Sequence, residues 1–331
     1  MAARPVDDAA IARAVDALKR GGLVALPTET VYGLAADADN EAAVRAIFAA
    51  KGRPADHPVI VHVADRRALA LAGWALAVPP AADALASAFW PGPLTLVLKR
   101  GARARDVVTG GQDTIGLRSP AHPWAQALLH AFGGGLAAPS ANRFGRISPT
   151  TASHVIADLG LKPAGAVDVV LDAGACPIGI ESTIVDLSGI HPRLLRPGAI
   201  TRAAIEAVLG TPLHAADAGA PRASGRLETH YAPRTPLELV PVSELAARVV
   251  AYRPAIVSVL APAWAVGSEP NLRLHLVAAE TPADYARALY SSLRRLDASG
   301  AERLLVAAPP EAPEWEAVHD RLVRASSGGA A

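Results

Sequence analysis

Gly22-Leu23-Val24-Ala25-Leu26-Pro27-Thr28-Glu29-Thr30-Val31-Tyr32-Gly33-Leu34 is an apolar run that stops at a proline and turns abruptly polar. Residues 22–27 read as a buried strand ending at a turn. Residues 41–50 follow as a helix, with Val44, Ile47 and Phe48 at i, i+3, i+4 on one face. A strand, a polar turn and an amphipathic helix in succession predict an α/β layer. The hydroxyls and carboxylate of Thr28-Glu29-Thr30 fall at the strand's end, where open α/β sheets bind ligands. The alternative is a plain capped turn, with Thr28 or Thr30 capping a short helix.

The alternation continues outward from this stretch. Strands are expected at residues 59–63, 95–98, 114–117, 136–139, 167–172, 183–187 and 193–195. Helices are expected at 81–89, stopped by Trp90-Pro91-Gly92-Pro93, and at 123–132, ended by Gly133-Gly134-Gly135. Thr201 caps a further helix that runs to Leu209. From Gly210 to Pro236 periodicity gives way to Gly, Pro, Ala and isolated charges, which reads as a linker. Beyond it, strands at 237–240, 256–260, 272–277 and 304–307 alternate with helices at 243–252 and 314–323. Another helix carries Tyr285, Leu289, Leu293 and Leu296 on one face. The expected organisation is an α/β domain at 1–209, a linker or lid at 210–236, and a smaller Rossmann-like α/β domain at 237–331.

Composition bounds what such a chain does. Its 331 residues suit two domains. With 51% hydrophobic against 19% charged residues, there is material for a sizeable core. Lys+Arg 32 against Asp+Glu 31 leaves a formal charge of +1, which argues against a life of non-specific binding to nucleic acid or anionic membrane. Cys176 is the single cysteine, so intrachain disulfides, Cys-cluster zinc and iron–sulfur centres are excluded. Asp7 and Asp8 sit where a signal peptide would be apolar, and the greasiest stretch, 68–82, is broken by Pro79-Pro80. The expectation is a soluble, cytoplasmic protein with no membrane partner.

Standard catalytic signatures are missing. Gly174 and Gly179 have P-loop spacing, but Ile180-Glu181 follows where Lys and Ser/Thr are required. No dinucleotide fingerprint, zincin motif or nucleophile elbow occurs. What remains is a set of polar segments at predicted strand ends. Lys51-Gly52-Arg53-Pro54 places two cations on a stiff loop. It is either an anion site or a helix C-terminus complementing its dipole. His57 follows, and His62 lies in an apolar strand where a core histidine is the plain alternative. Thr114 and Arg118 come from the next segment. Ser140, Asn142 and Ser148 come from a small-residue loop, which reads equally as a turn before a helix capped by Ser148 or Thr150. Ser182 and Arg196 complete the set. Four cations, Lys51, Arg53, Arg118 and Arg196, with many hydroxyls but no nucleophile or metal cluster, suit a polyanionic small ligand such as a nucleotide.

At these residues the chain resembles the YrdC-like family in its long two-domain form. The likeness is carried by PTETVYG from Pro27, KGRP from Lys51, PGPL from Pro91, RSPAH from Arg118, APSAN from Ala138, EST from Glu181 and LLRPG from Leu194. Lys51/Arg53 and Ser140/Asn142 form the family's signature tetrad. The resemblance implies a twisted α/β sheet with a basic concave cavity. It also implies a nucleotidyltransferase that joins L-threonine, bicarbonate and ATP into threonylcarbamoyl-AMP and pyrophosphate for the t6A modification of tRNA. Mg2+ would come with ATP without a protein ligand. The product would pass to a separate tRNA threonylcarbamoyltransferase complex, with tRNA bound only indirectly or weakly.

Residue by residue, the resemblance gives Thr30, His62, Arg118, the backbone at Ala138 and Ser182 to threonine. It gives Arg53, His57, Thr114, Ser140, Asn142, Ser148 and Arg196 to the nucleotide. Lys51 and Arg53 would face phosphate and carbamate as the catalytic cations. His230-Tyr231 matches the linker motif that folds over the nucleotide, although the preceding Ser224–Thr229 departs from the family's pattern, and many relatives carry Asn at position 57. Two other activities remain open at this point. One is a tRNA- or dsRNA-binding module, which few aromatics (4%) disfavour. The other is the carbamoyl-transfer enzyme of the same fold, whose usual zinc fingers a single cysteine cannot build.

Overall fold

The computed structural model describes residues 4–67, 69, 73–217, 219–225 and 230–327. The chain divides into two compact units, Met1–Phe144 with Pro149–Arg226 and Gly145–Ser148 with Leu227–Ala331.

The first unit is built on one mixed sheet. Its strands are β1 (Val24–Leu26), β2 (Gly33–Asp37), β3 (Ile60–His62), β4 (Leu94–Lys99) and β5 (Thr114–Arg118). They are followed by β6 (Leu136–Ala137), β7 (Val169–Val170), β8 (Thr183–Asp186), β9 (Arg193–Arg196) and β10 (His214–Ala215). The spatial order is β10-β9-β8-β4-β5-β3-β6-β2-β1-β7. Strand β3 runs parallel to β5, with His62 opposite Arg118. Strand β4 is antiparallel to β5 and parallel to β8, with Leu94 opposite Thr183.

Period-2 alternation decides what each face carries. Leu94, Leu96, Leu98, Ile115 and Leu117 point into the main core, where they pack with Val44, Ile47 and Phe48 of the helix Glu41–Lys51 and Leu85 of the helix Pro80–Phe89. The opposite face is covered unevenly. At one end the helices Asp8–Lys19 and Pro123–Phe132 lay Leu18 and Leu128 on Val24, Leu26 and Leu136. At the other end Val97, Ile184 and Leu195 pack with Ile60 of β3 and with Ala216, Ala220 and Ala223 of the connecting segment. Thr95, Arg118 and His62 belong to this second face. The polar residues thus reach the site by alternation along strands, and not merely by sitting at strand ends.

Several local expectations need correction. Thr28 and Thr30 cap no helix. Thr28 Oγ1 accepts from the amides of Thr30 and Val31 and donates to the Val31 carbonyl, closing a tight turn. The helix after Ser148 starts at Ala152 and is capped by Thr151, whose side chain accepts from the amide of His154. Strand β2, Gly-Leu-Ala-Ala-Asp, carries no alternation because both its faces are covered. The helix Asp8–Lys19 is an amphipathic run capped by Asp7. The segment expected as a linker or lid is divided between the two units. It contributes β10, which pairs with β9, and residues 230–236 belong to the second unit.

The second unit has a four-stranded, all-parallel sheet of β11 (Leu237–Val240), β12 (Val257–Ala261), β13 (Leu272–Val277) and β14 (Arg303–Ala307), ordered β11-β14-β12-β13. The helices Leu245–Ala251, Pro282–Asp297 and Glu316–Ser326 accompany it, the first and last each entered through a single 3-10 turn. Tyr231 and Ala232 sit in this unit, and Ala232 bridges Arg146. Among the described residues no helix is long and apolar enough to cross a membrane.

Candidate active site

Of the residues expected to bind threonine, His62 and Arg118 end the neighbouring strands β3 and β5, Thr30 lies in the turn between β1 and β2, Ala138 follows β6 and Ser182 precedes β8. Arg118 ends β5 with only 4% of its surface exposed. Its Nη2 donates to Glu29 Oε1 at 2.6 Å, its Nη1 to Thr30 Oγ1 at 2.9 Å and its Nε to the Gly92 carbonyl at 3.3 Å. Three of five N–H groups are thereby committed, leaving two for a ligand carboxylate. His62 stands beside it in register, and burial, helped by the Arg118 charge, pushes its pKa down to about 3. The imidazole is therefore neutral at ordinary pH. The Ala138 amide is tied to the Ile60 carbonyl at 3.0 Å, two residues before His62. Ser182 leads into β8, with its Oγ 2.8 Å from Thr95 Oγ1 and 3.1 Å from Arg196 Nη2.

The expected nucleotide residues fall into two groups. Lys51 closes its helix just before Gly52, whose φ of 65° is a left-handed conformation that favours glycine. The ammonium is buried and donates to the carbonyls of Ser140 and Asn142, the latter at 2.6 Å. Burial, and secondarily the nearby Arg53, lowers the Lys51 pKa well below the usual range. Arg53 donates through Nη2 to the Pro58 carbonyl at 2.8 Å and to Ser224 Oγ at 3.3 Å, and its guanidinium lies 5.6 Å from the Phe144 ring centre. His57 meets the same ring edge-on at 5.3 Å; its pKa is lowered by burial and then by Arg53. Arg196 clamps the Ser182 carbonyl through Nε and Nη2 and reaches the Ser224 carbonyl through Nη1 at 2.8 Å.

A shallow cleft on this sheet face is lined by residues that include Ile60, Thr95, Thr114, Gly116 and Ser224. The chain at 222–224 is fastened across it. The Arg222 amide donates to Gln112 Oε1 at 2.6 Å, Arg222 Nη2 to the Gly110 carbonyl at 2.8 Å and Ser224 Oγ to the Pro58 carbonyl at 3.2 Å. Lys51, Arg53, His57, Thr114, Ser140, Asn142 and Arg196 all lie in the first unit. Ser148, His230 and Tyr231 are built into the second unit instead. Tyr231, with φ 63°, packs its ring 5.5 Å from Tyr290 and lies 5.3 Å from the Arg321 guanidinium. The atypical residues 226–229 before His230 lie outside the described residues. Among the described residues no three His, Cys, Asp or Glu side chains gather so as to hold a metal ion.

A family model of the Sua5, YciO and YrdC proteins, described as telomere recombination, matches residues 16–198, more than half the chain. The chain belongs to this family. A second model, described as the C-terminal domain of threonylcarbamoyl-AMP synthase, matches residues 200–327. The threonylcarbamoyl-AMP synthase of Pyrococcus abyssi is 38% identical over 319 residues, covering 93% of this chain and 92% of that one. That of Bacillus subtilis is 45% identical over 241 residues, covering 70% and 67%. A crystal structure of P. abyssi Sua5 complexed with L-threonine is 37% identical, with a TM-score of 0.87 over 98% of this chain and 96% of that one. Escherichia coli YciO, at 23% identity and a TM-score of 0.51 over 60% of this chain, shares the fold.

Within this Sua5/YciO/YrdC site, three residues were given no role by the sequence reading, although the Glu29 carboxylate was placed at the strand's end. Glu29 holds Arg118, Thr95 holds Ser182, and Ser224 joins Arg53 to Arg196. The first two carried a signal. Glu29 is the charged centre of Pro-Thr-Glu-Thr, and Thr95 is a lone hydroxyl in the otherwise apolar Leu94-Thr95-Leu96-Val97-Leu98. Ser224 carried none, since nothing in an aperiodic Gly/Pro/Ala stretch says which residue touches the sheet.

Proposed function

We infer that this chain joins L-threonine, bicarbonate and ATP into threonylcarbamoyl-AMP and pyrophosphate, the activity that its full-length relatives are named for. The observation that carries this reading is the Arg118–Thr30–Glu29 cluster lying on the same sheet face as the Ser182–Arg196 contact. Arg118 takes the threonine carboxylate through its two uncommitted N–H groups. Neutral His62 and the hydroxyls of Thr30 and Ser182 bond the rest of the amino acid, and His57, Thr114, Ser140, Asn142 and Ser148 serve the nucleotide. The threonine amine adds to CO2 drawn from bicarbonate, forming a carbamate. A carbamate oxygen then attacks the α-phosphorus, and the bond to the β-phosphate breaks to release pyrophosphate. The attacking atom comes from a substrate, which agrees with a site of cations and hydroxyls. Lys51, Arg53 and Arg196 offset the charge that develops on the phosphorus oxygens.

Mg2+ brought with ATP would need no protein ligand, since substrate and water oxygens would hold it, and it would supply further charge neutralisation at the phosphates. His230 and Tyr231 are the linker-motif residues that the family likeness gives to the nucleotide. The product serves t6A formation in the cytoplasm through a separate transferase complex, and tRNA is engaged only at that later step. The test is pyrophosphate release by purified protein. Release that requires both threonine and bicarbonate is expected; release indifferent to either one would refute the reaction.

A further inference from the structure

We propose that Thr95 is a positioning residue for the threonine site: it presents Ser182 as a hydrogen-bond donor and couples that residue to the nucleotide side through Arg196. The proposal rests on the reading above, in which Ser182 contacts threonine.

The geometry of β4 comes first. Leu94, Leu96 and Leu98 enter the main core, so Thr95 stands on the opposite face, on a strand paired with β5 on one side and β8 on the other. Arg118 ends β5, and Ser182 lies two residues before Ile184, the residue opposite Thr95 on β8, so Thr95 stands between two residues assigned to the substrate threonine. Its methyl turns toward β5, with Cγ2 3.6 Å from where a Cβ on Gly116 would stand. The hydroxyl turns the other way, 2.8 Å from Ser182 Oγ. Both residues are buried.

The proton bookkeeping follows from the donor inventory. A serine oxygen has one proton and two acceptor sites. Arg196 Nη2 fills one acceptor site, and its direction is certain because a guanidinium has no lone pair. The Thr95 hydroxyl has Ser182 Oγ as its one hydrogen-bond partner among the described residues. A buried hydroxyl directs its proton at the acceptor within reach. Thr95 therefore donates, the second acceptor site of Ser182 is filled, and the Ser182 proton is left for an incoming acceptor such as a carboxylate or hydroxyl oxygen. Without Thr95, Ser182 can turn to other acceptors, and Arg196, which also clamps its carbonyl, loses a fixed point. Threonine and nucleotide affinities then depend on one another through a single side-chain chain.

The experiment compares wild type, Thr95→Val and Thr95→Ser in the full chain by calorimetric threonine titration, with and without a non-hydrolysable ATP analogue, and by steady-state kinetics. Thr95→Val keeps the shape and loses the hydroxyl. It should weaken threonine binding and raise the threonine KM about 5- to 20-fold, abolish any enhancement of threonine binding by the analogue, and leave the melting temperature within a few degrees. Thr95→Ser restores most of the threonine affinity. Unchanged threonine affinity in Thr95→Val overturns the proposal, as does a Thr95→Ser protein no better than Thr95→Val. If wild type itself neither binds threonine nor releases pyrophosphate, the reaction reading fails, and the Thr95 result is not its cause. Ser182→Ala serves as the second variant: its threonine affinity should match that of Thr95→Val, and a normal affinity there would also overturn the proposal.

Discussion

Lys51 and Arg321 are both buried cations, one in each unit, and they are held in different ways. Arg321 is fully enclosed, 2.6 Å from Asp320 and with the Tyr231 ring at 5.3 Å. Lys51 is held by the carbonyl oxygens of Ser140 and Asn142, and its pKa is forced down by burial. A cation matched by a carboxylate holds a fold together; one held by carbonyl dipoles retains attraction for an arriving anion. The same contrast extends to neutral groups. In the second unit Asn271 Nδ2 donates to the Val249 and Ala255 carbonyls, and Ser258 pairs with Ser299, so these serve the unit's own chain.

Four measurements break or sharpen that contrast. Arg321→Met should show the largest effect, destabilising the protein by about 3 kcal/mol, because a fully buried guanidinium loses its contacts with Asp320 and the Tyr231 ring while Asp320 keeps Arg324 at 2.8 Å. Turnover per folded molecule should stay normal, and reduced turnover at full stability would move Arg321 into the site. Lys51→Ala should do the reverse, with pyrophosphate release falling by about 2–4 kcal/mol in transition-state terms while the melting temperature holds. A wild-type rate would return Lys51 to the role of helix C-terminus. Asn271→Ala should cost about 1–3 kcal/mol in chemical denaturation, since two carbonyls lose their donor, with threonine KM unmoved.

The smallest effect per step concerns His62. The native state keeps it neutral down to about pH 3, while the unfolded chain protonates it below about 6.5. Its contribution is complete above pH 6.5 and is lost on acidification at about 1.4 kcal/mol per pH unit until the native ring protonates. His62→Gln should flatten the stability–pH curve by that one proton; identical slopes would mean the ring is solvated.

Much of this was legible in the sequence, for identifiable reasons. A strand such as β5 alternates cleanly, and helix ends such as Gly52 and Thr201 carry their own punctuation. Strand β2 did not, because alanines buried on both faces carry no period. Pairing was also hidden: nothing local says that β4 lies between β5 and β8, which is what brings Thr95 against Ser182. The site residues were recognisable as types, but Lys51 meets Ser140 and Asn142 across about ninety residues of chain. That distance is bridged by tertiary packing alone.

The short excursion of Gly145–Ser148 into the second unit has a practical consequence. Polypeptide crosses from one unit to the other at 144/145, returns at 148/149 and crosses again at 226/227, so the halves are stitched and not merely tethered. A protease cut between 226 and 230 would yield two fragments that still migrate together, since Arg146 of the larger bridges Ala232 of the smaller. Trimming the gene at the connector would likewise leave Ile147, a buried side chain, without the Arg294 guanidinium that holds its carbonyl. An expression fragment of the catalytic half therefore needs this loop redesigned as well as a new stop codon. Exchange of C-terminal halves between relatives should succeed only when residues 145–148 travel with them.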